Sequence, residues 1–198
     1  MRSKRRCVLA LAVGLALSSQ AVASGVPEKS LTETLSESRA VVHGRVIDQF
    51  SQWEVVGEHK IIYTYSTIRV AHGEFRNLPE MEDVVVRTVG GIVDEYEQVL
   101  IDEASFKLGE EVITFLTLED GWLHLSVTNF RQGKFTVERA ANGRILGVRP
   151  DAGAQADPAA AKARTLVPLS SFANDFRRAR VALAEGDLSD VHPLIPVR

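Results

Sequence analysis

Hydrophobic and polar positions alternate along Ala40–Trp53, with Ala40, Val42, Gly44 and Val46 on one face and His43 and Arg45 on the other. A period of two predicts a half-buried strand, and a glycine inside it, Gly44, predicts a bend or a close backbone approach. Ile61–Gly73 is rich in β-branched and aromatic residues, which suit a pleated surface, so the two runs are expected to pair as a hairpin around the polar loop Glu54–Lys60. Asp83–Val89 and Glu111–Leu118 read as a third and a fourth strand. Asp120-Gly121 carries a hairpin signal leading into Trp122–Phe130. Gly133–Ala140 and Arg144–Arg149 are joined at Asn142-Gly143, a pair whose usual turn needs positive φ at both residues.

The pattern changes period at both ends. Ser30-Leu31-Thr32-Glu33 fits a capping box, in which the serine caps a helix and the glutamate reaches back to the cap's own N–H. Pro168–Gly186 places Phe172, Phe176, Ala179 and Leu183 on one helical stripe, with Gly186 as the expected stop. Between strands and helix, residues 150–165 are poor in large apolar side chains and read as a linker. The expected layout is a signal peptide at 1–23, a β-barrel domain at 24–149, the linker, and a C-terminal helix and tail at 166–198.

The signal peptide rests on three features in order: a basic start (Arg2, Lys4, Arg5, Arg6), an apolar stretch from Cys7 to Leu17, and the small triplet Ala21-Val22-Ala23. The apolar stretch falls short of the ~20 residues that span a bilayer, so no membrane span is expected, and the chain reads as exported to the periplasm or the medium. Cys7 is the only cysteine, and cleavage after Ala23 would leave a chain with no disulfide, thiolate metal site or cysteine nucleophile. Loss of the four basic residues would also take the net charge from −3 to −7. An acidic chain with scattered cations is a poor partner for nucleic acid or an anionic membrane, both of which need clustered positive charge.

Candidate chemistry concentrates in Val86–Glu103. Gly90 and Gly91 end the third strand's apolar run, but no lysine and serine or threonine follow at phosphate-loop spacing, and the next charges are acidic. A turn that uses glycine's freedom in φ is the expected role. Asp94, Glu95, Glu97, Asp102 and Glu103 could offer oxygens to calcium, which takes roughly six to eight; a solvated acidic loop is the plainer expectation. His43, His59, His72, His124 and His192 show no H-x-H or H-E-x-x-H spacing, although His43 and His124 could share a sheet face. No G-x-S-x-G elbow is present, no catalytic residue is assigned, and no cofactor is expected. Trp53, Tyr63, Tyr65 and Trp122 suit either core packing or stacking on a sugar or peptide.

The order of features resembles a group of exported bacterial proteins: a short helix into "SESRAVVHGRV", a strand closing on "VAHGEF", then "VVVRTVGG", a variable loop, "FKLGEEVITFL" and "RQGKFTV". Over Leu31–Val148 the strand order is similar to the netrin-like OB barrel of tissue inhibitors of metalloproteinases. The resemblance implies a mainly β fold, a small OB/netrin-like antiparallel barrel with a short N-terminal helix and a C-terminal helix. Those inhibitors chelate a protease zinc through an N-terminal cysteine held by disulfides; the expected start here is Ser24-Gly25-Val26, so no inhibitory residue carries over. The expected function is non-catalytic, binding or an accessory role in the cell envelope, with binding through the loops Glu54–Lys60 and Gly90–Ser105 at one end of the barrel, Trp53 and Tyr96 as anchors and His59, Gly90 and Gly91 beside them. A protein or peptide is the expected partner. A protease inhibitor, by topology alone, and a hydrolase built on carboxylates and histidines are the alternatives.

Overall fold

A ring of five strands cannot alternate direction all the way round, and this barrel meets that constraint at one parallel pairing. The structure is a computed structural model that describes residues 28–71, 73, 75, 82–119, 124–151 and 165–185. The leader, the Asp120-Gly121 turn, Trp122, most of the linker and Gly186 lie outside the described residues.

Helix α1 (Leu31–Glu37) begins at a complete capping box: Ser30 Oγ accepts from the Glu33 N–H, and the Glu33 carboxylate accepts from the Ser30 N–H. Eight strands follow: β1 (Ala40–Val56), β2 (His59–Val70), β3 (Asp83–Val93), β4 (Tyr96–Val99), β5 (Glu111–Glu119), β6 (His124–Val127), β7 (Lys134–Arg139) and β8 (Ile145–Pro150). Helix α2 (Leu169–Glu185) closes the described chain.

The ring runs β1, β2, β3, β6, β5 and back to β1, a closed five-stranded barrel in OB order. One pairing in the otherwise antiparallel ring is parallel: β3 and β6 meet at Val86 opposite Leu125. Parallel pairing is slightly weaker per residue. Past Val86 and Leu125 the two strands line a cavity. Strands β7 and β8 extend the sheet from β5, and β4 pairs with β3.

Two apolar layers hold this together. Ala40, Val42, Val46, Ile68, Val84, Val86, Phe106, Val112 and Leu116 fill the barrel. Val41, Ile113 and Phe115 face outward from β1 and β5 onto Phe172, Ala173, Phe176 and Ala179 of α2, so the helical stripe packs against the barrel as expected. Gly44 lies where a Cβ would stand 2.3 Å from the Arg69 carbonyl oxygen, the close backbone approach its place in the strand predicts.

Three local expectations are corrected. Glu54–Lys60 is not a loop: β1 and β2 stay paired to Val56 opposite His59, leaving Gly57 and Glu58 as the turn. β-branched Val55 and Val56 prolong an exposed ribbon there. Gly90 and Gly91 do not end β3 either, because the strand continues to Val93 and the chain reverses at Asp94 and Glu95. At Asn142-Gly143 only the glycine has positive φ; the Gly143 N–H closes the turn on the Ala140 carbonyl at 2.8 Å, and Asn142 Oδ1 also accepts from the Arg144 N–H at 3.1 Å.

The two glycines instead let β3 bend over the ribbon. A Cβ on Gly91 would lie 2.2 Å from Thr64 Oγ1 and 2.5 Å from Ser51 Oγ, and one on Gly90 would lie 2.6 Å from the Gln98 carbonyl oxygen. Gly91→Ala is expected to destabilise the protein by about 1–3 kcal/mol through overpacking at a positive φ. The urea midpoint, compared with wild type at constant m-value, checks this.

Candidate functional site

Trp53 and Tyr96 meet. The glycine bend folds the β3–β4 hairpin over the ribbon, and Gln98 Oε1 pins it by accepting the Ile62 N–H at 2.9 Å. Trp53, opposite Ile62, and Tyr96 then pack edge to face, with ring centroids 5.8 Å apart and planes at 70°. They remain 40% and 55% exposed. The two aromatics that the sequence offers as anchors of one surface are in contact. His59 does not join it: paired with Val56, it lies at the ribbon tip on the opposite face from Trp53. Gly90 and Gly91 act by permitting the bend.

The calcium candidates do not converge. Asp94, Glu95 and Glu97 sit on the β3–β4 hairpin, whereas the Asp102 carboxylate accepts from Arg131 Nε at 2.7 Å. Among the described residues no three of His, Cys, Asp and Glu are grouped as a metal would need. Tyr63 and Tyr65 resolve as packing: both are buried, the Tyr65 hydroxyl bonds Glu54, and the Arg87 guanidinium stacks 4.3 Å over the Tyr63 ring.

The histidines separate too. His43 lies beside Ile113 and bonds Glu111 at 2.9 Å, while His124 lies beside Glu119 and packs against Tyr65. Around His43 the fold gathers arginines scattered in sequence: Arg45, Arg69 and Arg139 line an open groove of about 440 Å³. Each is already committed to a carboxylate, Arg69 to Asp83 and the other two to Glu111. Hydrogen bonds from Arg139 first, then His43, hold the Glu111 carboxyl below its ordinary range.

A second cavity, of about 190 Å³, opens at the parallel seam between β3 and β6. Glu103 enters it from the loop after β4, only 6% exposed, and its carboxyl accepts from the backbone N–H groups of Ala104 and Val89. A backbone donor of β3 is thus met by a side chain where the strand neighbours the cavity. Burial pushes the Glu103 carboxyl up to about 7, with the charges of Glu119 and Asp151 adding to the effect and the two backbone donors opposing it. Glu119 and Ser126 share the cavity wall. Ser126 Oγ, on a side chain 5% exposed, has no hydrogen-bond partner among the described residues.

Leu100 and Phe130, both exposed, stand on the wall with Val89 and Val127. Phe130 and its neighbour Asn129 both have φ of 56°, the left-handed region that bulky residues avoid. Two bonds tie this strained turn to the loop that carries Glu103, Arg131 N–H to the Asp102 carbonyl at 2.9 Å and Arg131 Nε to its carboxylate. Sequence reasoning placed Glu103 in a solvated acidic run. The available signal was its position at the head of Glu103–Phe106, where Ala104 and Phe106 carry apolar side chains that enter the core.

No helix among the described residues is long and apolar enough to cross a membrane. No family model, curated protein or solved structure matches the chain.

Proposed function

We propose that this protein is an exported binding domain that recognises a protein or peptide segment through Trp53 and Tyr96 at the ribbon end of the barrel. The observation that carries the reading is their edge-to-face contact in the exposed state. Two hairpins and a glycine-dependent bend hold large aromatic surfaces in water. Aromatics supply much of the binding energy at protein interfaces because they bury a large area with few torsions to freeze. Export is supported by the basic, apolar and small-residue layout of residues 1–23.

The test is selection from a displayed peptide library, followed by titration of the selected peptides against wild type, Trp53→Ala and Tyr96→Ala. Each substitution is expected to weaken binding by about 2 kcal/mol, roughly 30-fold. Trp53 fluorescence in a Trp122→Phe background should report the same titration. Selected peptides that bind the variants as tightly as wild type would sink the reading.

A hydrolase is the second reading, favoured by the seam cavity that brings Glu103 and Glu119 to one wall. Acid–base hydrolysis needs two carboxyl groups facing one cleft, and burial has raised one of this pair, Glu103. The cavity is smaller than the ~300–1,000 Å³ of most small-molecule sites, which places this reading below binding. Turnover of chromogenic esters or glycosides that vanishes in Glu103→Gln would reverse the order.

A further inference from the structure

We propose that the seam cavity binds a small organic cation, a primary ammonium or guanidinium on a short alkyl stem, with Glu103 as its counter-ion. The charge balance points that way. Arg87 is the cation on the cavity wall, and it is shared between Glu54 at 3.3 Å and Glu119 at 3.7 Å. Glu103 stands apart from that network, its carboxyl met by two backbone N–H groups, with no ion pair among the described residues. The cavity wall therefore carries two carboxylates, Glu103 and Glu119, and one guanidinium, whose ion pairs run to Glu119 and, off the wall, to Glu54.

The polar geometry adds to the charge. Ser126 Oγ is a buried hydroxyl on the same wall with an unfilled hydrogen-bond capacity. Native structures rarely leave such a group unpaired, since the loss is about 1–3 kcal/mol. A guanidinium or ammonium can donate to Glu103 and Ser126 together. Leu100 and Phe130 provide an apolar rim against which a short alkyl stem packs. A volume of about 190 Å³ suits such a group and excludes a peptide backbone.

The charged and titratable groups facing Glu103 are Arg87 from β3, Tyr63 from β2, Glu119 from β5 and, through space, Asp151. A cation binds the ionised carboxylate, so occupancy follows its ionisation. With the carboxyl at about 7, the binding-competent fraction falls about tenfold between pH 8 and pH 6, and the apparent affinity falls with it.

The experiment is an amide-shift NMR titration of the purified protein with n-propylguanidinium and n-butylammonium at pH 8 and pH 6, with n-propylurea as the neutral counterpart. Saturable shifts at Val89, Ala104 and Ser126, about tenfold weaker at pH 6, are expected, lost in Glu103→Gln and weakened severalfold in Ser126→Ala. The serine variant removes one hydroxyl and keeps the test open if the glutamine variant fails to fold. An arm with N-acetyl-glycyl-arginyl-glycinamide separates sources: tighter binding than n-propylguanidinium assigns the cavity to an arginine side chain of a partner, weaker binding to a free small cation. No saturable shift at pH 8, equal binding of n-propylurea, or binding unchanged by Glu103→Gln would overturn the proposal.

Discussion

Lys134→Met is expected to destabilise the protein by about 3–5 kcal/mol, the usual cost of removing one partner from a buried ion pair. Lys134 is 1% exposed, with Nζ 3.0 Å from Glu110 Oε1, 3.6 Å from Asp151 Oδ2 and 5.1 Å from the centre of the Phe106 ring. Glu110 also accepts from Thr136 Oγ1 and the Lys107 N–H, and Asp151 accepts from the Ser105 N–H. One ammonium thus joins β7, the end of β8 and the loop that carries Glu103. Methionine fills the space but removes the ammonium that Glu110 and Asp151 share. The triple variant Lys134→Met, Glu110→Gln, Asp151→Asn is expected to recover most of the loss, because replacing a whole buried network by uncharged groups is far milder than breaking it. Urea unfolding of single and triple variants gives the coupling. A single-variant loss under about 1 kcal/mol would show that water, rather than the protein, compensates these charges.

Features whose cause is local were legible in the sequence. The capping box at Ser30, the strand runs, the backbone approach at Gly44 and the apolar stripe of α2 each follow from spacing within a few residues. The barrel itself was legible because a small set of strand orders closes. The parallel seam was not read, although an odd ring requires it. Elsewhere the missing information was long-range. Gly90 and Gly91 carry the same residue type whether a chain turns or bends past Thr64 and Ser51, and only the neighbours decide. Tyr63 and Tyr65 were open between packing and recognition until Arg87 and Glu54 were placed beside them. Trp53 and Tyr96 were legible as anchors of one end of the barrel, but their contact depends on the bend. Glu103 was the largest miss, since a carboxylate in an acidic stretch reads as solvated until the fold carries it into the seam.

That same carboxylate should govern how stability depends on pH. Its folded value of about 7 lies above the ordinary 4.5 of an unfolded chain. Below about pH 4.5 both states hold the proton and there is no penalty. Between 4.5 and 7 the unfolded chain releases its proton while the folded one keeps it, so stability falls as pH rises; above 7 both are ionised and the penalty stays constant. A shift of this size corresponds to about 3 kcal/mol as an upper bound, since the loop can relax toward water. Glu103→Gln cannot ionise and keeps an oxygen to accept from Val89 or Ala104. It is therefore expected to be more stable than wild type by up to about 3 kcal/mol at pH 8 and nearly equal to it at pH 4.5. Urea midpoints followed by circular dichroism across that range decide the matter: parallel curves for the two proteins would remove Glu103 as the titrating group. Converging curves at acid pH would show that the seam holds its carboxylate at the expense of stability, a sacrifice characteristic of sites kept for binding rather than for folding.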